Sequence, residues 1–195
     1  MINLSRDELM QDKRKWDDRY TNDSAITDAA ALLRENTHLL KGGKALDVAM
    51  GTGSNAVLLA AHGFEVEGVD ISSVAVTSVR QHAEKNGLAI TAIEADLTDY
   101  QIQERAYDVI VNFYYLDRKI IPQLKQGLKS GGLIFFETYT EEQLRLGGIS
   151  NPDYLLKPNE LLFSFLDFFI IFYHERIVTE SHGSKAIASI IAQKV

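Results

Sequence analysis

The chain has no cysteine, only three prolines and one tryptophan in 195 residues, and no long unbroken apolar run. Without cysteine there is no disulfide framework, thiolate zinc site or cysteine nucleophile, which fits a reducing, cytoplasmic setting. No apolar stretch approaches the ~20 residues of a membrane span, and the opening MINLSRDELMQDKRKW is charged throughout, unlike a signal peptide. Positive charge is also scarce. Twenty Lys and Arg against 27 Asp and Glu give a formal charge of −7, a poor basis for affinity gained by neutralising phosphates, so nucleic acid is not the expected partner. His38, His62, His82, His174 and His182 show no ligand spacing, so no metal is expected. With 46% hydrophobic residues and no repeat or linker, residues 1–195 read as a single domain.

What is present is organised around residues 44–70, KALDVAMGTGSNAVLLAAHGFEVEGVD. Residues 44–49 form an apolar run of strand length, and residues 50–54 carry two glycines where the backbone must turn and approach a ligand. Residues 55–62 are rich in alanine and leucine, Gly63 stops that helix, and residues 64–69 alternate into a second strand that ends on Asp70. A carboxylate at that tip can accept from two ribose hydroxyls, with the glycine loop and helix N-terminus against the rest of a cofactor. Glycines alone leave the cofactor open, because Gly51, Gly53 and Ala56 also satisfy the dinucleotide fingerprint.

Asp47, four residues before Gly51, completes D-x-x-x-G-x-G. This resembles the first motif of the class I S-adenosylmethionine-dependent methyltransferases, with Ala49 where that family carries a further glycine. An alanine there resists positive φ and weakens the match slightly. The resemblance covers nearly the whole chain. It implies S-adenosyl-L-methionine as cofactor and an α/β, Rossmann-like fold: a mostly parallel seven-stranded sheet with helices on both faces and a C-terminal antiparallel hairpin.

Taken in order, the first 22 residues read as a helix with Ser5 and Glu8 as a capping box. Its end places Trp16, Arg19 and Tyr20 within about one turn. In many small-molecule methyltransferases a similar segment closes over the methionine end of the cofactor; the alternative is an amphipathic helix docked by its aromatics. Residues 26–40 read as a second helix, and with it residues 1–42 form an N-terminal lid ahead of a cofactor-binding core at 44–138. Ser72 or Ser73 caps a helix that Gly87 closes, and residues 89–95 form a third strand. Asp96-Leu97 at its tip resembles the family's third motif, the acid approaching the adenine amine, although aspartate at a strand end is also an ordinary turn residue. Ile71, next to Asp70, belongs to the same implied cofactor set.

Residues 107–113 are almost unbroken apolar, as in a central parallel strand. Asn112 and Phe113 then stand with the cofactor, while Tyr115 and Arg118 occupy the place of the family's fourth motif, where methyl group and acceptor meet. Residues 120–128 read as a helix, 130–132 as a turn and 133–138 as a strand, after which Tyr139 joins Tyr115 and Arg118 as a tentative catalytic set. Residues 139–160 lack an apolar period and read as a substrate loop or lid, with Arg118 and Arg145 as candidates to orient an anionic acceptor. A helix from Pro158 and strands at 167–178 and 185–195 make up the C-terminal part, 161–195. Tyr115-Leu116-x-Arg118, Glu137-Thr138-Tyr139 and the segment from Asn151 to Leu161 resemble a small group of methyltransferases near the tellurite-resistance enzymes. The expected activity is methyl transfer to a small molecule or oxyanion. The rivals are a nicotinamide-dependent oxidoreductase and a cofactor-binding subunit of a larger methyltransferase complex.

Overall fold

The computed structural model describes residues 6–22, 25–149, 151–180 and 183–195. The expected Ser5 cap and the Ser181–His182 part of the last turn lie outside them. Seven strands make one sheet: β1 (Gly43–Val48), β2 (Phe64–Asp70), β3 (Ile90–Glu94), β4 (Tyr107–Phe113), β5 (Leu128–Tyr139), β6 (Phe169–Glu180) and β7 (Gly183–Gln193). Their order is β3-β2-β1-β4-β5-β7-β6. Pairing is parallel from β3 to β5, and β7 runs antiparallel to both its neighbours. The order reverses between β1 and β4, and their carboxyl ends open the crevice in which such sheets bind ligands.

Side chains alternate across this sheet into two cores. On one face Leu46, Val48, Ile110, Ile134, Phe136 and Ile190 pack with Leu124 of α5 (Ile121–Gly127) and Leu161 of α7 (Glu160–Ser164). On the other, Ala45, Val109, Val111, Phe135 and Ile191 meet Leu32 and Leu33 of α2 (Ala31–Arg34) and Ala56 and Leu59 of α3 (Ser54–Ala61). Burial on both faces explains why β4 reads as a continuous apolar run, YDVIVNF. Next to α3, α4 (Ser73–Asn86) packs Val76 and Val79 against Met50 and Ala92. Its ends follow the sequence: Ser72 Oγ accepts from the Ala75 N–H at 3.2 Å, and Gly87 closes it at φ +63°.

Three expectations are corrected. The helix expected at 26–40 shrinks to α2 and a 3₁₀ turn at Thr37–Leu39, because the chain before it is held extended, the Ala30 N–H donating to Asn55 Oδ1 at 2.9 Å. The strand expected at 133–138 begins at Leu128: between the Tyr107–Leu128 and Val109–Leu133 pairs, β5 bulges over the Gly131–Gly132 turn without leaving the sheet. The substrate loop is not structureless. It holds α6 (Gln143–Leu146), a 3₁₀ turn at Pro152–Tyr154 and a bridge between Thr140 and Leu156.

Candidate active site

The loop after β1 makes three left-handed turns in five residues, at Ala49 (φ +53°), Gly51 (φ +54°) and Gly53 (φ +81°). Ala49 therefore adopts the conformation expected only of the glycine it replaces, at a cost of about 1–2 kcal/mol that the surrounding fold absorbs. Gly51 has no room for more: a Cβ there would stand 2.8 Å from Tyr20 Oη. Its N–H donates to Asp70 Oδ2 at 2.8 Å, and the Ser72 N–H donates to Asp70 Oδ1 at 2.8 Å. Burial pushes the Asp70 carboxyl up, the two N–H donors pull it back, and Asp17 nearby pushes it up again. Asp47 lies fully buried in β1. Burial lifts its pKa to about 8 against the counter-effect of the Ala56 N–H at the start of α3, and Asp70 adds to the rise. Its Oδ2 has no hydrogen-bond partner among the described residues.

Over this loop lies α1 (Arg6–Asn22), fixed to the far end of the sheet. Asp17 Oδ1 accepts from Ser72 Oγ at 2.6 Å and from the Val74 N–H at 3.3 Å, so it joins the N-terminal cap of α4. Burial works against that carboxylate, yet these hydrogen bonds and Lys13 hold it below its usual range. Lys13 also pairs with Glu94 at the end of β3. Tyr20 points into the loop, its pKa pushed up to about 12 by burial and by Asp70. Trp16 stacks on Tyr20 at 5.8 Å, and Arg19, exposed, covers Trp16 at 5.3 Å. The N-terminal trio thus forms a layered stack of which only Tyr20 reaches the glycine loop.

Asp96 sits half-exposed, its Oδ1 taking the Thr98 N–H at 2.8 Å; Leu97 is buried, and Ile71 is half-buried. At the end of β4, Phe113 is buried in the α2–α3 core, while Asn112 is wholly buried on the opposite face. Asn112 Nδ2 donates to the Tyr115 carbonyl at 2.8 Å, and its Oδ1 has no partner among the described residues. Tyr115 leans on the α5–α7 core, and burial, with Asp117 and Asp96 nearby, holds its hydroxyl firmly protonated.

Two residues that sequence reasoning left out of the candidate set form the centre of the β4–β5 edge. Tyr114 takes φ +59°, a strained conformation for a bulky side chain. Its N–H donates to the Glu137 carbonyl at 2.8 Å and its phenol to Glu137 Oε1 at 3.1 Å. Glu137 is only 4% exposed, and its Oε2 accepts from Ser189 Oγ of β7 at 2.6 Å. Tyr139 packs its ring 5.2 Å from Tyr114, and Lys185 Nζ lies 5.3 Å from the Tyr114 ring. The available signal was Glu137 itself, a single acid in the apolar run LIFFETY.

Arg118 is engaged by the segment at 153–160. Nε and Nη2 donate to the two Glu160 carboxylate oxygens at 2.6 and 2.9 Å, Nη1 to the Asp153 carbonyl and Nη2 to the Leu155 carbonyl, each at 2.8 Å. That bidentate geometry raises the guanidinium pKa further. Gln143 Oε1 accepts the Ala186 N–H at 2.8 Å and fixes α6 to β7. Arg145 is exposed and pairs with Glu142, and His174 is exposed on β6. Among the described residues no group of acids and histidines could hold a metal ion.

The strand order, the antiparallel β7 and the glycine loop at the switch point define the Rossmann-like methyltransferase fold. The family model described as a methyltransferase domain matches residues 45–132. The chain is 34% identical over 122 residues to ribosomal RNA small subunit methyltransferase C of Alcanivorax borkumensis, covering 56% of this chain and 37% of that protein. It is 29% identical over 157 residues to ubiquinone biosynthesis O-methyltransferase of Glaesserella parasuis, covering 68% of this chain and 66% of that one. The match thus spans from about a third to two thirds of the length of these relatives. In fold the chain is similar to TehB from Haemophilus influenzae (TM-score 0.76, 22% identity, 92% of this chain and 67% of that). It is also similar to geranyl diphosphate C-methyltransferase from Streptomyces coelicolor (TM-score 0.67, 15% identity, 96% and 98%). Residues 45–132 thus match a methyltransferase domain, and the chain shares the fold of solved S-adenosylmethionine-dependent methyltransferases.

Proposed function

We propose that this protein is a cytoplasmic enzyme that transfers the methyl group of S-adenosyl-L-methionine to a small molecule or oxyanion. The observation that carries the reading is the loop at 49–53, where three left-handed residues leave a cradle that a single Cβ would fill, beside Asp70. Two buried polar atoms without partners among the described residues, Asp47 Oδ2 and Asn112 Oδ1, flank it on the neighbouring strands β1 and β4, and such atoms call for a bound group. These residues fit the cofactor. Asp70 keeps lone pairs for ribose hydroxyls beyond the two N–H groups it already accepts, and Ile71, Asp96 and Leu97 lie toward the adenine side. Asp47, Ala49, Gly51 and Gly53 shape the floor, Asn112 and Phe113 the wall at β4, and Trp16, Arg19 and Tyr20 the cover.

The cofactor, when bound, supplies a methyl carbon already activated by a positively charged sulfur. The chain has to align an acceptor with it, a proximity effect worth several kcal/mol. Tyr114 and Tyr139 offer aromatic faces for this, with Lys185 above and Glu137 beneath. Where the acceptor carries a proton, Tyr114 Oη takes it and passes its own to Glu137 Oε1. Arg118 shapes the lid and takes no part in binding the acceptor, and Tyr115, kept protonated, is a wall. The charge of −7 favours a small acceptor over nucleic acid.

Calorimetry with S-adenosylhomocysteine and with NAD comes first, with binding of the former and none of the latter expected. Incubation of the purified chain with labelled S-adenosylmethionine and a metabolite extract, followed by mass spectrometry, should then reveal a small molecule that gains a methyl. Transfer that appears only after a second protein is added would support the subunit reading.

A further inference from the structure

The two edges of this sheet are protected very differently. β3 is five residues long, its Ala92 carbonyl is taken by Arg80 Nε at 2.9 Å, and Glu94 at its end is tied to Lys13. β6 is 12 residues long and has no partner strand on its outer side among the described residues. Neither proline nor lysine interrupts it, and a register shift at Ile171 disturbs only its beginning. Phe169 is 64% exposed, Ile177 57% and Ile171 39%, while Phe163 and Leu166, in the segment leading into the strand, are 66% and 60% exposed. Natural sheets blunt their edges by shortness, charge or proline; β6 carries charge at Glu175, Arg176 and Glu180 but is long and apolar around them, and such an edge invites another strand.

We propose that β6 pairs antiparallel with β6 of a second copy of this chain about a twofold axis, so that one sheet runs through a dimer. Covering these five side chains on both copies removes roughly 1,000 Å² of apolar surface, about what a specific interface must clear. Charge selects the register. A twofold axis normal to the sheet sets the residue on the axis opposite itself, so centring on Glu175 or Arg176 would face like charges. Centring on His174 avoids this: it sets Ile171 opposite Ile177, Phe172 opposite Arg176 and Tyr173 opposite Glu175. The strand then presents one acid and one base near the axis, which offsets locally the repulsion between two net-negative chains. The pairing lies beyond β7, away from the glycine loop.

Sedimentation equilibrium of the full chain should report a dimer, and Ile177→Lys should convert it to a monomer with an unchanged far-ultraviolet circular dichroism spectrum. Because the chain lacks cysteine, His174→Cys gives a clean probe of the register: mild oxidation should link two copies covalently, whereas Thr98→Cys should not. A wild-type monomer at all accessible concentrations, or a dimer that Ile177→Lys leaves intact, overturns the proposal. A dimer that Ile177→Lys disrupts but His174→Cys fails to cross-link overturns the register.

Discussion

Along the carboxyl edge, the β1–β3 half and the β4–β7 half solve the same problem by different means. In the first, the carboxylates at the strand tips are held by backbone, Asp96 by an N–H two residues on and Asp70 by N–H groups two residues after and 19 residues before it, with Asp17 and Lys13 of α1 reaching in from afar to Ser72 and Glu94. In the second, side chains reach across the fold: Arg118 to Glu160 over 42 residues, Gln143 to Ala186 over 43 and Glu137 to Ser189 over 52. A backbone-built site needs only the right residues in the right local order. A side-chain-built site exists only once distant elements have docked. The difference suits a constant cofactor on one side and an acceptor set by a few side chains on the other.

Four substitutions can sharpen or break this contrast. The largest effect is expected at Gly51→Val, which strains a left-handed position and drives a side chain into Tyr20; affinity for S-adenosylhomocysteine should fall at least about 100-fold by calorimetry. Asp70→Ala should cost about 1.5–3 kcal/mol of cofactor binding and also lower the melting temperature, because the Gly51 and Ser72 N–H groups lose their acceptor. Arg118→Ala should spare cofactor affinity but speed hydrogen exchange across residues 153–160, with a stability loss of about 1 kcal/mol, since the pair is partly exposed. A loss of cofactor binding there instead would erase the division between the halves. Asp47→Asn should give the smallest change. With its folded pKa raised to about 8, the wild-type carboxyl favours folding below its unfolded value near 3.8, and that contribution is lost as pH rises through about 8. The asparagine variant should therefore match wild type in acid and melt a few degrees higher in alkali.

The same contrast explains what the sequence made legible. β4 was readable residue for residue because burial on both faces leaves an apolar run, and α4 because Ser72 and Gly87 are local signals. Asp47, Gly51 and Asp70 were readable as a pattern because neighbouring backbone fixes their places. The partner of Arg118 was not legible, because its spacing from Tyr115 says nothing of Glu160, which it meets only after the fold has closed. Tyr114 went unnoticed because strain at φ +59° has no signature in composition, and the sequence favoured its neighbour Tyr115. Ala49 was read as resisting positive φ, and the Met50–Val69 and Gly51–Asp70 hydrogen bonds hold the loop there regardless.

The place of β7 has a consequence for how the chain is made. It follows β6 in sequence yet lies between β5 and β6 in space, so during vectorial synthesis the β5 edge stays open until both later strands have emerged. β6 and β7 pair from Glu180 and Gly183 outward, so this hairpin can form locally before it docks. Leu133 to Tyr139, a segment of high strand propensity, would therefore be the stretch of the nascent chain most in need of a chaperone, for the interval in which its partner is still inside the ribosome.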